Sequence, residues 1–141
     1  CNSVCVHIRR RDYLIPQNSY LNICDEKYYR TGMDYIAQYT QEPEFFIFTN
    51  NSDDVRWIRQ NYKFDYPVNY VDLNNPDYEE LRLMYSCKHF VTCNSTFSWW
   101  GSYLSKNRNK IVVAPDRWNS LQNDMLSESI YRDDMIRLQV N

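Results

Sequence analysis

Five short apolar or alternating runs are spaced along the chain, and a longer segment with a different pattern separates each run from the next. The runs are four or five residues long and rich in valine, isoleucine and phenylalanine, which is typical of strands. They cover residues 4–8, 45–49, 68–71, 89–93 and 111–114. A chain built in this way needs a sheet to bury these runs.

The segments between the runs have the spacing of amphipathic helices. In the first segment Tyr29, Met33 and Ile36 fall on one face, and similar spacing occurs around Ile58 and Met84. Residue types that cap free helix amides precede four segments. They are Asp25, Asn51-Ser52-Asp53, Asn75-Pro76-Asp77 and Asn94-Ser95-Thr96. We therefore predict four helices that alternate with five strands.

This alternation predicts an α/β fold with a Rossmann-like parallel sheet flanked by helices on both faces. The 141 residues suffice for one core, so we expect a single domain over residues 1–141. Ligands of such sheets bind beyond the carboxyl ends of the strands. The Gly-x-Gly-x-x-Gly and Walker A patterns are absent, so ordinary dinucleotide binding and P-loop chemistry have no sequence support.

Three consecutive arginines, Arg9, Arg10 and Arg11, follow the first predicted strand. A guanidinium is costly to bury unless a carboxylate or phosphate pairs with it. Two interpretations stay open, a solvated basic strand end and a clamp on a phosphate. The net charge of −2 argues against a nucleic-acid surface, so we expect these cations to act locally.

A second candidate anion site follows the fourth predicted strand, where Asn94 and Ser95 lead into a helix. A helix N-terminus offers free amides and partial positive charge, so it can bind phosphate without a glycine-rich loop. The hydroxyls of Ser95, Thr96 and Ser98 would add donors. Simple N-capping is the alternative, with about equal weight.

Glu80 lies near the start of the third predicted helix. Glutamates there often only complement the helix dipole. A guanine base, however, presents two adjacent N–H donors that one carboxylate can accept together, as it does from arginine. Glu80 is therefore a candidate base selector.

The five cysteines and two histidines form no metal-binding pattern, so we expect free thiols in a reducing compartment and no metal site. No apolar run approaches the roughly 20 residues that span a bilayer, and no leader segment is evident. We expect a cytoplasmic location, and peripheral attachment to the inner membrane is left open.

Two motifs, His-x-Arg-Arg-x-Asp-Tyr at residues 7–13 and Asn-Ser-Thr-Phe-Ser-Trp-Trp at residues 94–100, flank the run at residues 80–90. In order and spacing they resemble the bacterial α-1,2-fucosyltransferases of glycosyltransferase family 11 over nearly the whole chain. Arg11 departs from the small residue, usually glycine, that the family has at this position. Asp53-Asp54 before Trp57 also resembles an acidic pair of the family.

The resemblance implies the two-domain GT-B architecture, of which this chain would be the C-terminal, donor-binding half without the N-terminal acceptor domain. The chain would then be a fragment, inactive alone, or a shortened protein that works with a partner. The implied activity is inverting transfer of L-fucose from GDP-β-L-fucose to a hydroxyl of an acceptor oligosaccharide, of the galactoside 2-α-L-fucosyltransferase type. No metal or other cofactor is implied.

The same resemblance assigns roles to residues of this chain. Arg9 or Arg10 would hold the diphosphate. Because a general base near the acceptor hydroxyl helps an inverting reaction, Asp12 is the local candidate for it, and pairing of Asp12 with Arg9 or a backbone amide is an equally strong alternative. His7 and Glu80 would lie near the guanine. The implied donor-binding residues are His7, Glu80, Asn94, Ser95, Thr96, Phe97 and Ser98.

A hypothesis of a different class is a non-catalytic glycan-binding or protein-assembly module. Its basis is the 13 tyrosines and four tryptophans, whose rings could form a binding surface. It predicts glycan or partner binding that survives the loss of both Arg9 and Arg10. The paired arginines and the separate phosphate-binding turn favour the transferase.

Overall fold

The apolar runs form the strands of one parallel sheet. The computed structural model describes residues 2–71, 74–120 and 129–140. The strands are β1 Asn2–His7, β2 Pro43–Phe48, β3 Val68–Tyr70, β4 His89–Val91, β5 Val112–Pro115 and β6 Met135–Leu138. All five predicted strands are confirmed, with ends within two residues of the predicted ones, and β6 is additional.

The four predicted helices are confirmed as well. They are α1 Glu26–Tyr39, α2 Ser52–Asn61, α3 Asp77–Tyr85 and α4 Thr96–Leu104. Side-chain oxygens of Asp25, Asn51 and Ser95 accept hydrogen bonds from first-turn amides of α1, α2 and α4, at 2.9, 2.9 and 3.3 Å. At α3 the cap position is Pro76, which makes no side-chain cap bond.

The sheet order is β3-β2-β1-β4-β5-β6, and every neighbouring pair is parallel. Val6 of β1 lies between Ile47 of β2 and Val91 of β4. The chain moves outward from β1 to β3, then crosses back to β4 and moves outward on the other side. A crevice therefore opens between the carboxyl ends of β1 and β4, where the order reverses.

Alternation along β1 divides the core into two layers. Val4 and Val6 pack in the cluster that contains the buried residues of α1 and α2, whereas Cys5 packs in the cluster that contains α3 and α4. The second layer is tight. A Cβ built on Gly101 of α4 would lie 2.5 Å from the Met84 Sδ atom of α3. This close approach brings the first turns of α3 and α4 to the same side of the crevice.

Two features were not predicted. The link from β1 to α1 contains two 3₁₀ helices, Arg11–Leu14 and Pro16–Leu21, which are too short to produce a helical period. The edge strand β6 pairs with β5, but its four residues include an arginine and lack a clear alternation. Both features therefore gave no usable signal in the sequence.

Candidate functional site

The two predicted anion-binding segments meet at the crevice between β1 and β4. His7 ends β1, Arg9 lies two residues beyond it, and Ser95 caps α4. The Arg9 Nη1 atom donates a hydrogen bond to Ser95 Oγ at 3.2 Å, across 86 positions of sequence. The predicted clamp and the predicted turn are thus joined where sheets of this order bind ligands.

A cavity of about 320 Å³, called here the switch-point cavity, opens at this crevice. Its walls come from the ends of β1 and β2 and from the first turns of α3 and α4. The lining residues are His7, Arg9, Thr49, Asn50, Asp77, Glu80 and Phe97. Four residues predicted for the site therefore share one cavity, namely His7, Arg9, Glu80 and Phe97.

A larger cavity of about 440 Å³ lies elsewhere, between the face of β2 and β3 and the helix α3. Its walls are mainly apolar, with Phe46 and Leu83 among them, and none of the described arginines, lysines or histidines lines it. The switch-point cavity combines a cation, two carboxylates and a helix N-terminus. Chemistry rather than size therefore identifies the candidate site.

Arg9 is held in place from two sides. Its guanidinium carbon lies 5.1 Å from the centre of the Tyr13 ring, and its Nη1 atom is bonded to Ser95. The Tyr13 hydroxyl in turn donates to the Asn94 carbonyl at 2.7 Å. These contacts fix the cation at the cavity wall, so it needs little reorganisation to meet an anion.

Arg10 points away from the cavity. Its guanidinium carbon lies 3.0 Å from the centre of a Trp57 ring, on the α2 side of the sheet. Burial lowers the pKa of Arg10, and the nearby Tyr62 and Asp54 oppose that shift. Its Nε atom is buried without a hydrogen-bond partner among the described residues. Of the two arginines that the sequence left as alternatives, Arg9 is the one that lines the cavity.

His7 is almost fully buried, with 4% of its surface exposed. Its Nδ1 atom lies 3.4 Å from Cys93 Sγ, and its ring centre lies 6.0 Å from that of Phe97. Burial, with a smaller contribution from the charge of Arg9, lowers the pKa of His7 to about 3. The imidazole is therefore neutral near pH 7 and offers a hydrogen bond rather than a charge.

Glu80 and Asp77 lie one turn apart on α3, and both line the cavity. Burial raises the pKa of Glu80, and the negative charge of Asp77 raises it further. A carboxylate in this position gains most from a ligand that donates hydrogen bonds. These carboxylates thus complement the cation Arg9 in the lining of the same cavity.

The remaining predicted residues lie at the start of α4. Ser95 caps the helix, and Thr96 begins it with an exposed side chain. Ser98 is fully buried, and its hydroxyl donates to the Ser95 carbonyl at 3.4 Å. The Asn94 amide donates to two backbone carbonyls, those of Leu21 and Trp118, each at 2.8 Å. Asn94 therefore bonds distant parts of the fold, whereas Ser98 bonds the cap residue of its own helix.

The Asp12 side chain lies outside the described part of the structure, and so does that of Arg11. Both residues belong to the 3₁₀ helix Arg11–Leu14, in which the amides of Tyr13 and Leu14 donate to the Arg10 carbonyl at 2.8 and 2.9 Å. The catalytic role of Asp12 stays a prediction.

Three residues that the sequence did not single out support the site, namely Tyr13, Thr49 and Asp77. Tyr13 belongs to the same motif as the arginines, but its contact with Arg9 depends on the fold. Thr49 ends the second predicted strand. Its place at the carboxyl end of a strand was the one sequence feature that indicated the ligand-binding edge of the sheet.

Within the described ranges, no group of three or more histidine, cysteine, aspartate or glutamate side chains could hold a metal ion. The described cysteines, Cys5, Cys24, Cys87 and Cys93, are all free. None of the described helices combines the length and the apolar character that crossing a bilayer requires.

Comparison with known proteins gives consistent matches. The sequence model of the family described as "Glycosyl transferase family 11" matches residues 1–139. The chain is 34% identical over 123 residues to the O-antigen biosynthesis glycosyltransferase WbnK of Escherichia coli, which covers 83% of this chain and 39% of that protein. It is 33% identical over 124 residues to an alpha-1,2-colitosyltransferase of Escherichia coli, covering 83% of this chain and 41% of that protein.

A third relative is a galactoside 2-alpha-L-fucosyltransferase of Caenorhabditis elegans, 31% identical over 116 residues, covering 76% of this chain and 31% of that protein. The chain thus spans about two fifths or less of the length of these curated relatives. No solved structure matches it.

Proposed function

Since the chain belongs to glycosyltransferase family 11, we propose that the switch-point cavity is the donor site of a GDP-fucose-dependent transferase. The chain would correspond to the C-terminal, donor-binding half of a GT-B enzyme. The proposed reaction is inverting transfer of L-fucose from GDP-β-L-fucose to a glycan hydroxyl, with a galactoside α-1,2 linkage. The name of the Caenorhabditis elegans relative supports this linkage.

The observation that carries the proposal is that Arg9, which is held by a hydrogen bond to Ser95, lines a cavity that Glu80 also lines. The cavity combines a fixed guanidinium with the N-terminus of α4, and both favour an anion. Two carboxylates, those of Asp77 and Glu80, also line it. A guanosine diphosphate matches this polarity, because its phosphates are anionic and its base presents paired N–H donors.

The chemistry follows from this polarity. In the proposed step the bond between the anomeric carbon and the diphosphate oxygen breaks, and its electron pair leaves with GDP. An acceptor hydroxyl attacks from the opposite face and loses its proton to a general base, for which Asp12 is the candidate. Arg9, the Ser95 hydroxyl and the α4 amides would stabilise the charge that develops on the leaving diphosphate. We propose that these groups suffice without a metal ion.

A colitosyl donor is the second candidate, because one relative is named as an alpha-1,2-colitosyltransferase. The two proposals share the nucleotide and differ only in the sugar. In the GT-B architecture the acceptor belongs to the N-terminal half, so donor binding is the activity to test on this chain.

Isothermal titration of the chain with GDP, ADP and UDP tests the proposal. We expect GDP to bind at least about tenfold more tightly than the other two, since a site that pairs with the base discriminates against partners that leave its polar groups unpaired. Equal binding of all three would remove the guanine assignment, and no binding of any would remove the donor site.

A further inference from the structure

Thr49 carries an unused hydrogen-bonding group in the wall of the switch-point cavity. It follows the last residue of β2, and 2% of its surface is exposed. Its Oγ1 atom is buried and has no hydrogen-bond partner within the described residues. A buried hydroxyl without a partner destabilises a fold. Because Thr49 lines the switch-point cavity, a ligand bound there can supply the missing hydrogen bond once the side chain turns toward it.

Thr92 shows that this fold can provide a buried threonine hydroxyl with a hydrogen-bond partner. It follows β4 as Thr49 follows β2, and its exposed fraction is also 2%. Its Oγ1 atom donates to the Val113 carbonyl at 2.9 Å. Thr92 is therefore a matched comparison, with the same residue type and the same burial but with a partner inside the protein.

The other groups that line or flank the cavity indicate which part of a nucleotide Thr49 would meet. The groups suited to a diphosphate, Arg9 and Ser95, lie between β1 and β4, whereas Thr49 lies on β2 at the other side of β1. The groups suited to the base, Glu80 and Asp77, come from α3. The ribose, which joins the phosphates to the base, is the part of a nucleotide that these groups leave unmatched.

We propose that Thr49 Oγ1 exchanges a hydrogen bond with a ribose hydroxyl of the bound nucleotide, which makes Thr49 a donor-binding residue that distinguishes a ribose from a deoxyribose. This inference rests on the proposed function. A threonine hydroxyl both donates and accepts, as a ribose hydroxyl does, whereas base N–H groups need acceptors and phosphates need donors.

The test compares Thr49→Val with Thr92→Val by calorimetric titration with GDP and by thermal unfolding. Valine keeps the shape of threonine and removes the hydroxyl. For Thr49→Val we expect an unchanged or higher melting temperature and a GDP affinity about five- to tenfold weaker, the loss of one hydrogen bond to ligand. For Thr92→Val we expect a lower melting temperature and an unchanged GDP affinity. Thr49→Ser, which keeps the hydroxyl, should retain the wild-type affinity.

Titration with 2′-deoxy-GDP and 3′-deoxy-GDP identifies the contact. One of the two should bind the wild type more weakly than GDP does, and this difference should vanish in Thr49→Val. The inference is overturned if Thr49→Val binds GDP as tightly as the wild type does. It is also overturned if removal of each ribose hydroxyl weakens binding to the wild type and to Thr49→Val by the same factor. A wild type that binds no nucleotide overturns the proposed function as well, so the two failures are distinguishable.

Discussion

Replacing Arg9 by alanine removes the one arginine, among the side chains that the structure describes, that lines the switch-point cavity. In the proposed complex this guanidinium would donate to the diphosphate while it remains bonded to Ser95. A hydrogen bond to a charged group contributes about 1.5–3 kcal/mol. If one such bond to the ligand is lost, GDP affinity should fall by about tenfold to about 100-fold. Guanosine, which has no phosphate, should lose almost nothing.

Arg10→Ala is the matched control, because it deletes a neighbouring arginine that stacks on Trp57 outside the cavity. Losing that contact should destabilise the fold by about 1–2 kcal/mol. Part of this loss should be offset, because the variant also removes a partly buried cation whose Nε atom has no hydrogen-bond partner among the described residues. We expect GDP affinity to change by less than about threefold, within the range of an indirect effect.

Calorimetric titration with GDP and guanosine measures the first effect, and urea unfolding measures the second. The reasoning fails if Arg10→Ala loses as much GDP affinity as Arg9→Ala does. It also fails if guanosine affinity falls in parallel with GDP affinity in Arg9→Ala, because the cation would then not act through the phosphates.

Three further predictions follow from the site and the helix packing. Glu80→Gln should weaken GDP binding about tenfold, as expected for a charged acceptor, without affecting UDP. Because the pKa of Glu80 is raised, wild-type GDP binding should weaken on acidification at a higher pH than for an ordinary glutamate, a dependence that the variant should lack. The His7 imidazole, with a pKa near 3 when folded and near 6.5 when unfolded, should show no NMR titration between pH 8 and 5. Since the unfolded chain binds more protons between these values, its folded stability should fall as the pH drops below about 6.5. Gly101→Ala should lower the urea-unfolding free energy by about 1–3 kcal/mol, because its Cβ would clash with Met84; an increase would contradict the packing.

The sequence predicted the helices well because their start signals are local. Asp25, Asn51 and Ser95 each reach an amide two or three residues ahead, so their capping roles are readable without a fold. The strands were readable for a similar reason, since central parallel strands are nearly continuous apolar runs. The edge strand β6 lacks that run and escaped prediction.

The site was only partly predictable, because the direction of a side chain depends on distant partners. The sequence could not separate Arg9 from Arg10, since one is directed by Ser95 and the other by Trp57. Likewise, the residue types of the turn that begins at Asn94 suggested ligand contacts. The Asn94 side-chain amide instead donates to distant backbone carbonyls. These partners come together only through the order of the strands.

The bond from Arg9 to Ser95 also has a consequence for how the chain folds. It joins positions 86 residues apart, and contacts of such long range form only after the intervening loop has closed. A nascent chain that ends before β4 already carries the arginines, yet it has no cavity in which to use them. Ligand bound only by the completed sheet adds stability, about 2.7 kcal/mol at 100 times its Kd. The nucleotide would therefore favour the finished fold over every partly assembled form of this chain.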